Sequence, residues 1–486
     1  MGQGDWAIQL EEEHGKLENQ AEEELHQDIP EILGVAIFAE DIVVQDSKVM
    51  SIKQTVKGLI ERVPFPIGRL MARVPFSVRL GSVYSQMRAE CERIERDGIS
   101  AQEEYALKKF RYVFEFARQK FPCYRELYQK AGVLDLEVKS LADVAKIPTI
   151  DKTWARAHFQ EFHGAYRLNT GGSSGEPTAF WADKNCWARE WAHMHTIWEM
   201  LGYDYHDLKL AIRGKNLGRR SFAYNPVHNE YVINTYLSVK DYASKLERLF
   251  AKRDVKWFHG YPSSIYQFIL ECEEAFGKDG VRCLFKGVRG LLLSSEFPLP
   301  YMKEKFNEYG LKWISWYGHT EMCVLAYDKN CNNRYRPFAT YGLAEVVDGH
   351  LIGTSFHNFD MPLIRYDTGD LVEATKVSEA GLVEEFAIKE GRSGDFIEDK
   401  NGKKIPLTAL IFGRHHRVFD VADYVQIGQK EAGKATLYVT MRGGVVAGDL
   451  AKLFDLTNVD IDFEVKVVDK PIRTKAGKLG LRVGSG

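Results

Sequence analysis

The sequence predicts an α/β fold in two parts, a large multi-sheet domain followed by a small α+β domain near the C-terminus. Three observations carry that expectation. A chain of 486 residues is too long for one ordinary core. From about residue 100, short apolar β-rich segments alternate with helical stripes. After Gly391 the pattern changes to closely spaced alternating strands.

The elements follow in order. Residues 1–50 hold thirteen Asp or Glu against two Lys, the composition of a solvated surface segment. Residues 57–87 reverse the sign: Lys57, Arg62, Arg69, Arg73 and Arg79 alternate with Leu59, Phe65, Ile67, Leu70, Phe76 and Val78. A basic amphipathic segment of this kind suits peripheral contact with an anionic membrane, or docking on its own domain with arginines outward. The stretch 106–131 reads as one helix. Strands are expected at 208–212, 256–261, 288–293 and 311–316. Helical stripes separate them, such as Ile265, Phe268, Ile269, Cys272 and Phe276 at 3-4 spacing. Asp348-Gly349 between 343–347 and 350–355 is a hairpin signal, and Asn401-Gly402 is another. Strands at 424–427, 435–441 and 462–468, with a short helix at 449–454, complete a second domain. Gly391 and Gly394 supply a hinge. The expected domains are therefore an N-terminal extension over 1–100, a large domain over 101–392 and a small one over 393–486.

Composition excludes some classes. At 27% charged residues and a formal net charge of −3, nothing points to nucleic acid. Seven scattered cysteines without a CxxC fit reduced thiols in a cytoplasmic protein. The first thirty residues are acidic, unlike a signal peptide, and the longest apolar run is broken by Glu40 and Asp41. The expected location is the cytoplasm, with the inner face of the membrane open through 57–87.

The sharpest local motif is Asn169-Thr170-Gly171-Gly172-Ser173-Ser174-Gly175-Glu176-Pro177. Its glycines let backbone amides converge on an anion, and its hydroxyls add donors, which suits nucleotide phosphates. It lacks the Walker lysine, and the segment that follows alternates as a strand, so the loop joins two strands rather than opening a helix. Two buried strands empty into Ser294-Ser295-Glu296 and into Trp316-Tyr317-Gly318-His319-Thr320-Glu321. Ligands of open α/β sheets gather at such strand ends. Asp360 to Leu371 adds two Asp and an Arg around an expected turn at Thr368-Gly369-Asp370. His259 and Tyr261 end another strand beside the presumed crevice and are candidates for an acyl pocket with Ser294 and Trp316. Cys323 and Cys331 with His319 or His350 make a poor zinc set in spacing and ligand count. The pair His415-His416 reads as surface, and no GxSxG nucleophile motif occurs.

The succession TGGSSGEP, SSE, WYGHTE, RYDTGDL, GRSGD and Pro471 to Lys478 resembles the adenylate-forming superfamily of acyl-CoA synthetases and adenylation domains. It is most similar to the phenylacetate–CoA ligase type, especially members associated with capsular-polysaccharide biosynthesis. The resemblance spans 165–482 and implies a large nucleotide-binding domain with a mobile small one. It implies that Thr170, Gly171, Gly172, Ser173, Ser174 and Gly175 hold the ATP phosphates, and that Glu296 and Tyr317 frame adenine beside Gly318 and His319. Thr320 would contact the α-phosphate, Glu321 would bind Mg²⁺, and Asp370 and Arg392 would bind the ribose. Asp395 would be the hinge, and Lys478 the catalytic lysine brought in by the small domain.

The implied reaction uses ATP and Mg²⁺ to convert a carboxylic acid to an acyl-adenylate with release of pyrophosphate. Transfer to an amine, a hydroxyl or the thiol of coenzyme A follows, with release of AMP. Attack of a carboxylate oxygen on the α-phosphorus brings two anions together and needs positioned positive charge rather than a histidine base. The carboxylate would be a small molecule or glycan-linked. An acyl-CoA ligase and an inactive nucleotide-binding scaffold are the competing readings, and retention of both Glu321 and Lys478 argues against the scaffold. The loop's lack of lysine departs from the commoner family form.

Overall fold

The computed structural model describes residues 42–43, 65–169, 178–215, 217–390, 396–412, 414, 416–441, 450–469, 472 and 481–483. β1 (Ile42–Val43), β2 (Tyr166–Asn169) and β3 (Ala179–Ala182) form an antiparallel sheet. Asn169 pairs with Ala179, so the Gly/Ser-rich segment links two strands of one hairpin, as its flanks predict. Residues 170–177 themselves lie outside the described residues.

An eight-stranded sheet occupies the centre of the chain. It comprises β4 (Leu208–Ile212), β5 (Phe222–Asn225), β6 (Glu230–Ile233), β7 (Val255–Gly260), β8 (Gly290–Leu293), β9 (Lys312–Gly318), β10 (Leu325–Asp328) and β11 (Arg336–Pro337), in the order β11-β10-β9-β8-β7-β4-β6-β5. The middle strands β6, β4, β7, β8 and β9 are parallel. β4 and β8 are buried at every position, the pattern of parallel strands covered on both faces. One face carries Trp257, Leu292 and Ile314 against Met194, Ile197 and Trp198 of the helix Cys186–Glu199. The other carries Phe258, Leu291 and Leu293 against Ile265, Phe268 and Ile269 of the helix Pro262–Leu284.

β4 lies between β6 and β7, so the strand order reverses there and a crevice opens at the carboxyl ends. The two strands approach closely at that point. A Cβ built on Gly260 would stand 2.0 Å from the Ile212 carbonyl oxygen. Gly260→Ala is therefore expected to destabilise the fold by about 3 kcal/mol, at the upper end of overpacking costs. Denaturant unfolding checks this, and a change below about 0.5 kcal/mol would contradict the contact.

A second sheet contains β12 (Gly342–Val347), β13 (His350–Ser355), β14 (Tyr366–Val377) and β15 (Val383–Glu390). Val347 pairs with His350, and Asp348 and Gly349 both have positive φ, the two-residue turn that this dipeptide favours. Residues from 396 onward gather around their own core of Ile397, Leu410, Ile427, Leu437 and Val439. They contribute β16 (Phe396–Glu398), β17 (Lys404–Pro406), β18 (Ala422–Glu431), β19 (Lys434–Met441), β20 (Asp462–Val467) and β21 (Arg482–Val483). Lys403 joins this part to the larger one, donating to the Thr235 and Leu237 carbonyls and pairing with Glu271 at 3.1 Å.

Four sequence expectations are corrected. The helix drawn over 106–131 is two helices, Ile99–Lys120 and Pro122–Lys130, broken where Phe121 is extended; the residue before a proline avoids the α region. The helix Gly81–Asp97 buries Tyr84, Met87, Cys91 and Ile94. Cys91 packs with Trp198 in the core of the central sheet. Arg79 does not point outward; its guanidinium is buried and bonds the carbonyls of Ala72, Val74 and Val227. His416 is buried, with Nε2 2.8 Å from the Leu410 carbonyl; His415 lies outside the described residues. Thr368-Gly369-Asp370 is not a chain reversal but an irregularity within β14, where His350 faces Leu371 and Ile352 faces Asp367.

Candidate active site

The strand ends bring the central motifs together. β9 delivers Tyr317 and stops at Gly318. The chain then turns tightly, the Met322 amide donating to the His319 carbonyl with Met322 at φ +53°. Thr320 sits at the turn, and Glu321 points back into the protein, 6% exposed. The Tyr366 hydroxyl donates to one carboxylate oxygen of Glu321 at 3.1 Å, and His319 Nδ1 lies 3.2 Å from the other. Burial pushes the Glu321 carboxyl up, but the hydrogen bond and charge of His319, with the charge of Lys152, outweigh it and hold it at about 2. Glu321 is thus a buried carboxylate kept anionic, the setting in which a perturbed group marks a candidate functional site.

The bulge in β14 explains how Asp370 arrives beside Tyr317. Thr368 Oγ1 donates to the Leu351 carbonyl, the Gly369 amide donates to Asp367, and Gly369 takes φ +79°. Three residues therefore span one on the neighbouring strand, and the extra length re-aims the side chain. The Tyr317 hydroxyl donates to Asp370 Oδ2 at 2.6 Å. Burial, then the Asp370 charge, raises the Tyr317 phenol well above its ordinary value, so it stays a neutral donor. The ring meets Phe386 edge-on at 5.6 Å. An aromatic face beside an acceptor carboxylate is chemistry suited to a nucleoside, with stacking for the base and hydrogen bonds for the ribose hydroxyls.

The candidate acyl-pocket residues also converge. The Ser294 amide donates to the Gly260 carbonyl, and Tyr261 precedes the first turn of the helix Pro262–Leu284. The rings of His259 and Trp316 stand 5.8 Å apart, with Trp198 5.0 Å from His259. Glu230 lies 3.7 Å from His259 Nδ1. Glu296 stands beyond the end of β8. It is buried, and its carboxylate accepts from the Ser263 amide and hydroxyl, both at 3.0 Å. That sets the carboxylate at the start of the helix Pro262–Leu284, where the dipole favours it. Thr170, Gly171, Gly172, Ser173, Ser174, Gly175, Arg392, Asp395 and Lys478 lie outside the described residues.

Sequence reasoning missed Tyr366 and Lys152. Tyr366 stands inside the RYDTGDL motif, but a tyrosine among acids carries no signal until its partner is known. Lys152 follows a helix-capping Asp151, and nothing local links it to Glu321. Arg365, by contrast, is buried and serves the fold, pairing with Glu345 at 3.1 Å.

The donor set at Glu321 fits Mg²⁺, a hard cation that needs few protein oxygens. The carboxylate is anionic, with the Tyr366 hydroxyl on one oxygen and His319 against the other.

Burial also lowers the basicity of several histidines here. His193 and His259 are pushed down to about 4, and His195 and His357 lie well below the ordinary value. Between about pH 6.5 and 4 the unfolded chain binds protons that the folded chain refuses, so stability rises with pH across that window. The expected result is a thermal midpoint that falls steadily as pH drops from 6.5 to 4. A flat profile would show these imidazoles to be hydrated.

No protein-family model matches the sequence, and no curated protein does. Among solved structures, the chain is similar to a 2-hydroxyisobutyryl-CoA ligase in complex with 2-HIB-AMP and CoA in the thioesterification state. The identity is 17% over 80% of this chain and 91% of that one, with a TM-score of 0.50. An open conformation of the ligase with the same ligands gives 18% identity, 79% and 92% coverage and 0.46. The acyl acid amido synthetase AtGH3.15 in complex with 2,4-DB gives 11%, 78%, 89% and 0.41. No helix among the described residues is long and apolar enough to cross a membrane. The chain has the mixed α/β fold of the 2-hydroxyisobutyryl-CoA ligase.

Proposed function

We propose that this protein is an adenylate-forming ligase that activates a carboxylic acid with ATP and Mg²⁺, releases pyrophosphate, and passes the acyl group to an acceptor with release of AMP. The observation that carries the reading is the convergence of Tyr317, Asp370 and Glu321 at the carboxyl end of β9. A stacking ring bonded to a ribose-type acceptor stands beside a buried anionic carboxylate. Tyr317 and Glu321 share one motif and Asp370 comes from another 53 residues after Tyr317, and the fold joins them by a strand end and a bulge.

In this reading Tyr317 stacks on adenine and Asp370 accepts from the ribose. Glu321 holds Mg²⁺, which when bound offsets phosphate charge. Thr320 and the 170–175 loop orient the phosphates, with Lys152 supplying a cation that the loop lacks. The acid lies toward His259, Tyr261, Ser294 and Trp316, where its oxygen attacks the α-phosphorus as the bond to pyrophosphate breaks. Residues 393–486 turn about Asp395 to bring Lys478 to the departing charge, and Arg392 supports the ribose.

The protein would be of the phenylacetate–CoA ligase type and act in surface or capsular polysaccharide biosynthesis, forming an amide or ester on a sugar acid. The thiol of coenzyme A is the other acceptor class. Exchange of labelled pyrophosphate into ATP, run against aryl acetates, fatty acids, amino acids and uronic acids, tests adenylation. Stimulation is expected with uronic acids, and stimulation by aryl acetates alone would favour the coenzyme A ligase.

A further inference from the structure

No acidic residue occurs from Arg62 to Ala89, and the described part of that stretch builds an outward apolar surface. The helix Phe65–Met71 docks through Phe65, stacked on Tyr231 at 5.6 Å, and through Gly68, where an added Cβ would stand 2.7 Å from the Tyr224 ring. Arg79 ties the next turn to Val227. With that side pinned, Ile67, Leu70, Val74 and Val78 are left 57%, 64%, 38% and 55% exposed. They account for most of the large exposed apolar residues among those described; Ile67 and Leu70 lie one turn apart on the first helix, Val74 in the turn after it and Val78 on the next helix. A concentration of exposed apolar groups marks an interaction surface rather than ordinary exterior.

The charges beside it are specific. Arg79 and Arg88 are used internally, Arg88 pairing with Glu92 and Glu199. Arg69 and Arg73 are exposed and have no acidic partner among the described residues. With Ala72, His206 and Asn229 they line a cavity of about 380 Å³. Of its lining residues, His206 has its Nδ1 2.7 Å from the Asp204 carboxylate. Two exposed guanidiniums over an open cavity can hold a phosphate, and aliphatic side chains next to them can enter the acyl boundary of a bilayer. Protein interfaces are enriched in aromatic anchors, whereas this exposed row is aliphatic.

We propose that the surface formed by Ile67, Leu70, Val74, Val78, Arg69 and Arg73 docks the protein on an anionic phospholipid bilayer, with a headgroup phosphate in the Arg69–Arg73 cavity. This surface is separate from the strand-end site and needs no turnover, so its failure leaves the adenylation reading intact, and the reverse holds too.

The test is sedimentation of the full chain with phosphatidylcholine vesicles, with and without phosphatidylglycerol. Binding is expected only with phosphatidylglycerol and should weaken with salt. Arg69→Gln with Arg73→Gln should lose about thirty-fold in affinity, from roughly a five-fold factor per arginine near an anionic surface. Leu70→Ser with Val78→Ser should lose about as much, because both groups must act together. Circular dichroism of each variant should match the parent, since all four side chains are exposed. Equal binding to both vesicle types, retained binding in either variant, or no binding by the parent would overturn the proposal. A dimer that the Leu70→Ser, Val78→Ser variant abolishes would instead assign the face to a second copy.

Discussion

Glu321→Gln is expected to lower acid-dependent pyrophosphate–ATP exchange by about 10²- to 10³-fold, the range seen when one preorganised electrostatic group is removed from an active site. The substitution keeps the shape. Oε1 of glutamine still accepts from the Tyr366 hydroxyl, which donates to Glu321 at 3.1 Å, and His319 can take the tautomer that suits an amide. What changes is charge, in a place where burial opposes it and His319 and Lys152 sustain it. Raising Mg²⁺ should recover part of the loss if the carboxylate holds the metal, whereas a purely structural carboxylate would give a magnesium-insensitive defect. An unchanged exchange rate at ordinary Mg²⁺ would remove Glu321 from the mechanism. Because the folded carboxyl lies at about 2, below the usual range near 4.3, its contribution to stability is present above about pH 4 and is lost as pH falls toward 2.

Lys478→Ala is expected to cost about 10³-fold in the same exchange, the scale of a cation placed on a transferring phosphoryl group. Lys478 belongs to the proposed mobile domain and would meet the α-phosphate only when that domain has turned. The loss should therefore appear in kcat for adenylation, with ATP affinity nearly unchanged. Acyl transfer from a supplied acyl-adenylate should survive, because that step no longer develops charge at the phosphorus leaving pyrophosphate. Equal loss in both half-reactions would mean that the substitution damages the fold instead. The Lys403–Glu271 pair and the Lys403 bonds to the 235 and 237 carbonyls hold the two parts in the arrangement described here. Any turn of the small domain has to break them.

Much of the architecture was legible because periodicity and turn chemistry are local. The Asp348-Gly349 hairpin, the apolar strands β4 and β8 and the strand–loop–strand setting of residues 170–177 all follow from nearest neighbours in sequence. The misplaced features depend on distant partners. Arg79 looks like a solvated cation until Val227 offers its carbonyl, and His416 looks exposed until Leu410 and Asp455 close over it. The helix Gly81–Asp97 shares a core with residues a hundred positions later, a contact that no local signal announces.

The site shows the same division. Tyr317, Glu321 and Asp370 could be named from their motifs, since each ends a strand or interrupts one. Their relation could not. Thr368-Gly369-Asp370 has turn composition, and only pairing with β13 reveals a bulge that swings Asp370 toward the Tyr317 hydroxyl. Glu296 was named for its place past a strand end, and its bonds from the Ser263 amide and hydroxyl were not legible there.

The most direct test of the adenylation reading is exchange of labelled pyrophosphate into ATP by the intact protein with Mg²⁺ and a panel of acids, beside Lys478→Ala. Exchange that depends on one class of acid and falls about 10³-fold in the variant is the predicted result. ATP turnover to ADP, or exchange indifferent to both the acid and Lys478, would contradict it.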